Sequence, residues 1–456
     1  MSESTTTVNP ATGETLATYA HHTEPETEAL LQRAADAFEQ HRATTFAERA
    51  EKMERVADLL ENRKRATAEL MTREMGKPIG QAVAEVEKCA WVCRYYAEHA
   101  EAQLADEAVE TEAAKSLIVY QPLGLIVAVM PWNFPLWQVF RFAAPNLMAG
   151  NVGVLKHASN VQGCAEVIED LFREAGFGDA FQNLRVGHDR FETVIADDRV
   201  RGVTLTGSGP AGRAIASAAG QHLKPTVLEL GGSDPFIVLA DADLDRAVEI
   251  GVTGRVQNNG ESCIAAKRFI VEASVADAFT ERFVRAFEEL TVGDPMDEAT
   301  DVGPLAREDL RDEVHDQVER AVADGAEILT GGEKLERAGY YYAPTVLGNV
   351  RRGTVAFDEE IFGPVASVIV AADVDEAVDL ANDTRFGLGG AVFTEDLAKG
   401  EAVARRLDCG CAFVNEMVKS HPHLPFGGVK DSGYGRELSG LGIREFVNAK
   451  TLWVEG

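Results

Sequence analysis

From residue 117 onward the chain alternates short apolar runs with helical stretches, and no other feature constrains its fold as tightly. The runs LIVY, LGLIVAVM, NVGVLK, GVTLTG and TVLELGG are separated by segments such as QGCAEVIEDLFREAGF. A strand covered on both faces reads as a continuous apolar run, and a parallel neighbour is reached only through a long crossover, usually a helix. The alternation therefore predicts a mostly parallel sheet in an α/β fold. A second alternating set, KRFIVEA, VADAFTERFVRAFEEL, AEILTGG, ASVIVAA, DEAVDLAND, GGAVFT and CAFVNE, predicts a second α/β unit beginning near residue 231. Residues 24–104, with EPETEALLQRAADAFEQH and FAERAEKMERVADLLENRKRATAELM, space Leu, Ala, Val and Met helically and read as amphipathic helices. EAVETEAAKSLIVYQP and the closing KTLWVEG read as exposed strands, whose edges need each other or a subunit interface.

Composition narrows what such a fold can serve. At 456 residues and 45% hydrophobic content the chain can bury a large core. Its net charge of −30 argues against nucleic acid or an anionic membrane as a partner. The acidic surplus, with Arg well ahead of Lys, resembles the surfaces of proteins from salt-saturated cytoplasm. MSESTTTVNPATGETLATYA has neither the basic patch nor the apolar core of a signal peptide, and no apolar run approaches a membrane span. A soluble, cytoplasmic protein is expected. Cys89, Cys93, Cys164, Cys263, Cys409 and Cys411 lack zinc-finger spacing, so neither a disulfide framework nor a structural metal is expected.

Five short stretches carry chemistry. RGVTLTGSGPAGRAIASA (201–218) breaks a β-branched run at Gly207, Gly209 and Gly212 and then turns helical, as a dinucleotide loop does. On that reading Glu229, about 20 residues on in LELGG, is a ribose-binding acid; a carboxylate at a strand end before two glycines also suits a general base. PWNFP (131–135) is either an aromatic turn closing a strand or a rigid mount that aims the Asn133 amide as an oxyanion donor. NNGESC (258–263) sets Cys263 on a polar loop, where a thiol is open to substrate and to deprotonation, whereas Cys89, Cys93 and Cys164 lie in helical runs and read as inert. FDEEIFGPV (357–365) is either an acidic helix start or a cofactor wall, with Glu360 on ribose hydroxyls and Phe362 beside a nicotinamide.

In order along the chain, NPATGE, PWNFP, LK at 155–156, TGS with Gly212, LELGG, NNGESC, EEIFGPV and PFGGVKDSGYGRE resemble the NAD(P)-dependent, non-phosphorylating aldehyde dehydrogenase superfamily. Glu229 and Cys263 stand 34 positions apart, which is similar to the family's base-to-nucleophile spacing. The resemblance implies an α/β fold with a Rossmann-variant cofactor domain (1–104 and 122–230), a catalytic domain (231–440) and a small β oligomerisation segment (105–121 and 441–456). It implies Cys263 as nucleophile, Glu229 as general base and Asn133, with the Cys263 N–H, as oxyanion donors. A thiohemiacetal would lose hydride to nicotinamide, and the thioester left behind would be hydrolysed by a water that Glu229 deprotonates. Trp132, Lys156, Ser159, Gly207, Ser208, Gly212, Leu230, Glu360 and Phe362 fall at cofactor-binding positions, with the Gly207–Ser208 loop near the cofactor but not gripping its pyrophosphate.

Where the family pattern puts a Glu that repels a 2′-phosphate, three residues after the cofactor lysine, this chain has Ser159, so NADP is expected to be accepted or preferred, with NAD as a second cofactor. PWNFPLWQVFR, LKHASN, LELGGSDPFIVL and GRVQNNGESC most resemble succinate-semialdehyde dehydrogenases. By that resemblance Arg141 binds the substrate carboxylate in a bidentate fork. A second arginine of the pattern is replaced by Gln257, with Arg255 nearby. Ala265 replaces the cysteine of a redox switch, and Ser420 and His423 stand near the substrate mouth, His423 reading as a solvated loop residue. Glutarate semialdehyde and general aliphatic or aromatic aldehydes are the alternative substrates. A catalytically silent member would have lost Cys263, Glu229 or Asn133, and a cofactor-free cysteine esterase would not need two cofactor segments. The resemblance also implies a homodimer or homotetramer.

Overall fold

The computed structural model describes residues 3–456. Three helices, Glu24–His41, Phe46–Met75 and Ile79–Gln103, open the chain after a hairpin of Ser4–Val8 with Thr15–Ala20. Capping boxes start the first two: Thr23 with Glu26 and Thr45 with Glu48 satisfy each other's backbone N–H groups. Gly76, at φ 83°, ends the second helix in the left-handed conformation that glycine adopts without steric cost.

The apolar alternation becomes two sheets. The first has six strands in the order Gly433–Tyr434, Thr226–Glu229, Val200–Thr206, Leu125–Met130, Val152–His157 and Phe181–Asn183, parallel except for the first. The second has seven, in the order Glu327–Thr330, Thr345–Gly348, Val365–Ala371, Ala266–Glu272, Asp234–Val238, Gly389–Phe393 and Cys411–Val414, with only the first antiparallel. Their central strands are buried on both faces, as their unbroken apolar sequences require. Gly433–Tyr434 departs from the sequence division at 231 and 440: it lies in the later segment yet completes the first sheet, because Gly433 packs against the Leu228 backbone with no room for a Cβ. Lys115–Pro122 and Val447–Val454 pair antiparallel with each other, and Glu107–Ala108 adds a third strand. No helix among the described residues is long and apolar enough to cross a membrane.

Parallel strands put all their C-terminal ends at one edge, where the crevice of an open α/β sheet forms. Met130, His157, Thr206 and Glu229 end four strands of the first sheet there. The residues just beyond them build the site.

Candidate active site

Asn133 is held by a turn pinned from both sides. Burial keeps the His157 ring neutral, its pKa pushed down to about 4. A neutral ring has one donor and one acceptor: Nε2 donates to the Pro135 carbonyl at 2.9 Å and Nδ1 accepts from the Ala158 N–H at 2.9 Å. On the other side the Glu85 carboxylate accepts the Leu136 and Trp137 N–H groups, each at 2.9 Å. It thereby caps the Trp137–Met148 helix, which has no local side-chain cap, and it is itself ion-paired with the buried Lys77. The Asn133 amide donates one hydrogen to the Glu261 carbonyl at 3.1 Å and has a second to give.

Cys263 follows a tightly wound loop. Asn258 and Asn259 both sit at φ 58°, a left-handed conformation that Asn tolerates better than most residues. Asn258 Nδ2 donates to the Asn133 and Glu261 carbonyls, both at 2.8 Å, tying the nucleophile loop to the PWNFP turn. Asn259 donates to Gly76 and Pro304 carbonyls at 3.0 and 2.9 Å and accepts the Gly303 N–H at 2.8 Å. Gly260 is required here: φ is +75°, and a Cβ would lie 2.4 Å from the Gly363 backbone. Lys267 donates to the Ser262 and Cys263 carbonyls, each at 2.9 Å.

Cys263 is half-buried at the cavity wall. Desolvation pushes its thiol up to about 12, and the charges of Arg141 and Lys267 only partly offset it. Glu229 is buried and is raised to about 8 by desolvation; Arg141, with Nη2 at 4.0 Å from Glu229 Oε2, pulls it down, and Glu437 pushes it up.

Cys263 and Asn133 share a cavity of about 450 Å³ with Trp132, Lys156, Gly207, Ser208, Leu230, Glu360 and Phe362. Trp132 and Phe362 meet edge to face, ring centroids 5.9 Å apart. The Glu360 carboxylate accepts the Gly232 N–H at 3.1 Å and lies 3.4 Å from Lys267 Nζ. Lys156 lies over the Phe191 ring at 5.5 Å, and burial lowers its pKa. A neighbouring recess of about 270 Å³ shares Lys156, His188 and Arg307 and adds Ser159 and Arg185; no Asp or Glu lines it. Arg185 and Arg307 are already paired with Glu166 and Asp309 at 2.9 and 2.8 Å, so among the described residues Lys156 is the recess cation left to meet a phosphate. The Gly207 N–H is spent on the Glu229 carbonyl at 2.9 Å, so it is not offered to a pyrophosphate.

Several sequence assignments need correction. Gly212 does not line the cavity: it is a packing glycine, where a Cβ would meet the Leu230 side chain at 2.6 Å. Arg141 is not presented as a free carboxylate anchor. It is ion-paired with Glu437, lies 3.4 Å from Thr206 Oγ1 and stacks 4.7 Å from the Phe426 ring, because a buried guanidinium requires compensation inside the protein. Arg255 is fully buried and donates to the Gly260 carbonyl at 2.7 Å and to that of Gly363, which rules it out as a second anchor. Gln257 begins the turn before the nucleophile loop and lines neither cavity. Ser420 is buried and lies outside both cavities, bonded to Lys88; His423 is an exposed loop residue, as the sequence implies, with its ring on Tyr95 at 4.5 Å.

Sequence reading missed Glu85, Lys88, His157, Lys267 and Glu437. It also missed the roles of Asn258 and Asn259, whose Asn-Asn-Gly run carried a local signal, since consecutive residues tolerant of positive φ mark a forced loop. Lys267 acts on carbonyls four and five positions before it, and Glu85, Lys88 and Glu437 act across the fold, where nothing adjacent to them marks the role.

The aldehyde dehydrogenase family model matches residues 1–452. A probable NADP-dependent succinate-semialdehyde dehydrogenase of Synechocystis is 54% identical over 449 residues, covering 98% of this chain and 99% of its own. An NADP-dependent succinate-semialdehyde dehydrogenase of Mycobacterium tuberculosis is 54% identical over 452 residues, with 98% and 99% covered. Among solved structures, a succinic semialdehyde dehydrogenase of Streptococcus pyogenes in complex with NADP+ superposes with a TM-score of 0.97 at 39% identity, over 99% of this chain and 100% of that one.

Proposed function

This chain belongs to the aldehyde dehydrogenase family, and from that premise we propose that it oxidises succinate semialdehyde to succinate with NADP. The substrate and cofactor follow the relatives, which are 54% identical over nearly the whole chain. The observation that carries the cofactor reading is the acid-free recess at Ser159, which opens beside Lys156 and continues the cavity of Cys263 and Asn133. A 2′-phosphate there would meet the unpaired Lys156 and the Ser159 hydroxyl, with Arg185 and Arg307 beside them already paired to Glu166 and Asp309.

NADP, when bound, supplies the hydride acceptor. The chain does the rest. Cys263 must lose a proton before it attacks the aldehyde carbon, since its thiol lies near 12 at rest. The oxyanion so formed takes the second Asn133 amide hydrogen and the Cys263 N–H, which among the described residues makes no other bond; one such donor contributes about 10²–10³ in rate. The acyl thioester is then hydrolysed by a water whose proton goes to Glu229. A carboxylate with a pKa of about 8 is a far stronger base than an exposed one.

The same proposal includes a cytoplasmic location and a homodimer or homotetramer. Val447–Val454 is an outer strand of its sheet, with Leu452, Trp453 and Val454 exposed, and a second copy would cover that edge. Sedimentation would report a monomer if this is wrong. The test of the reaction is cofactor reduction followed by absorbance in concentrated KCl, with succinate semialdehyde against butanal and NADP against NAD. Equal turnover of butanal would remove the substrate; equal turnover with NAD would remove the cofactor preference.

A further inference from the structure

The direction of the Cys263 N–H is set by the peptide it belongs to. That peptide is trans and planar, so its carbonyl, the one of Ser262, points the opposite way. Lys267 Nζ donates to the Ser262 carbonyl at 2.9 Å and to the Cys263 carbonyl at 2.9 Å. These carbonyls belong to the two peptide planes that meet at the Cys263 Cα. Fixing both planes fixes the two soft dihedrals between them, and with them the direction in which the side chain leaves the backbone. Cys263 stands at the cavity wall, whereas the buried Lys267 lines neither cavity. The ammonium therefore holds the nucleophile from behind, and the Cys263 N–H is turned to the cavity side.

The rest of the loop leaves this task to Lys267. Asn258 ties down the Glu261 carbonyl and Gly260 is wedged against Gly363, but both act before Ser262. The Ala265 N–H also reaches the Ser262 carbonyl, at 3.2 Å, and among the described residues Lys267 is the donor to that of Cys263. Gly232 leaves room for the Cys263 carbonyl, since a Cβ there would lie 2.7 Å from it.

A lysine has three hydrogens, and this one has four acceptors in reach. Beyond the Ser262 and Cys263 carbonyls stand the Ala265 carbonyl and Glu360 Oε1, each at 3.4 Å. Glu360 is on the cavity wall and accepts the Gly232 N–H at 3.1 Å, so one ammonium is shared between that wall and the nucleophile loop. The other charged groups facing Lys267 are Arg255, which is spent on carbonyls, and Asp234, which accepts the Gly389 N–H at 3.0 Å. Burial lowers the Lys267 pKa, and Glu360 opposes this most. Arg141 and Lys267 both draw the thiol down, but Arg141 is ion-paired with Glu437, and Lys267 is the one bonded to the nucleophile's own backbone.

We infer that Lys267 is the positioning residue of the nucleophile: it fixes the peptide planes on either side of Cys263, aims the oxyanion-binding N–H and serves as a cation for the thiolate, with Glu360 drawing on the same ammonium. The assignment rests on Cys263 as the nucleophile and is independent of which aldehyde is oxidised.

The test uses the full-length protein as wild type, Lys267→Met, Lys267→Arg and Glu360→Gln. Without cofactor or aldehyde, the Cys263 thiolate displaces iodide from iodoacetamide, and mass spectrometry of the peptide that carries Cys263 gives the rate at fixed pH. Lys267→Met is expected to slow this alkylation by about tenfold, the change in thiolate fraction for one pKa unit, and Glu360→Gln to quicken it several-fold. In turnover, Lys267→Met is expected to lower kcat by about 10²-fold with little change in KM, as for a misaimed oxyanion donor. Lys267→Arg keeps the charge and recovers most of the alkylation rate but less of kcat, because its planar fork meets the two carbonyls differently. A folded Lys267→Met with alkylation and kcat unchanged, or a Lys267→Arg no better than it in alkylation, would overturn the proposal. Should Lys267→Met not fold, Glu360→Gln decides: an alkylation rate that stays or falls overturns it. Turnover retained by Cys263→Ser would instead overturn the nucleophile, and this assignment with it. Poor turnover of succinate semialdehyde with the expected alkylation pattern would overturn the substrate and uphold Lys267.

Discussion

Arg141 joins two carboxyl groups: it is ion-paired with Glu437 and stands 4.0 Å from Glu229. One buried cation is thus shared between two buried acids, and what one carboxylate takes the other loses. Both acids are raised, by desolvation first.

This sharing predicts the pH profile. A general base works when ionised, so thioester hydrolysis climbs with pH and levels off above about 8, the value to which Glu229 is raised. Glu437→Gln removes a like charge and frees Arg141 for Glu229, and both changes lower the pKa of the base. The rising limb is expected to move down by about one pH unit. Pre-steady-state decay of the acyl-enzyme measures it, and a limb that stays or moves upward would show that the two acids are not linked through Arg141.

The Asn133 amide has one hydrogen on Glu261 and one to give. Asn133→Ala is expected to lower kcat by about 10²–10³ while KM changes little, as for loss of a donor used mainly in the transition state. Stability should also fall slightly, since the Glu261 carbonyl retains Asn258 as a donor. A drop confined to KM would mean that the amide binds ground-state substrate instead.

Ser159 lines a recess whose charged groups are all cations. Ser159→Glu places an anion where a 2′-phosphate would sit, and like-charge juxtaposition costs several kcal/mol. The ratio of kcat/KM for NADP to that for NAD is expected to fall by at least about tenfold. An unchanged ratio would place the 2′-phosphate elsewhere.

The net charge of −30 leaves strong self-repulsion to be screened. The melting temperature and specific activity are both expected to rise as KCl is increased from 0.1 M toward molar concentrations. Full stability in dilute buffer would show that the ion pairs on the surface already balance the acidic excess.

Sequence alone determined the parallel strands, the helical character of residues 24–104 and the stretches that form the cavity. Apolar runs of strand length and helical spacing are local properties, and PWNFP, LELGG and NNGESC each sit just beyond or before a strand whose pattern is plain. The two terminal-edge strands were also legible, as runs that needed a partner, although only the fold shows that Lys115–Pro122 and Val447–Val454 take each other.

What tertiary structure decided was charge. The sequence displays Arg141 eight residues after Asn133 and Glu437 nearly 300 positions later, and nothing local says that they neutralise each other. The same holds for Lys88 and Ser420, 332 positions apart, and for the Cys263 loop, whose polar letters do not show that the fold desolvates the thiol and raises its pKa. Residue type fixes which groups can carry charge, but solvation and the nearest counter-charge fix how each one behaves. Both are set by which distant segments the fold packs together.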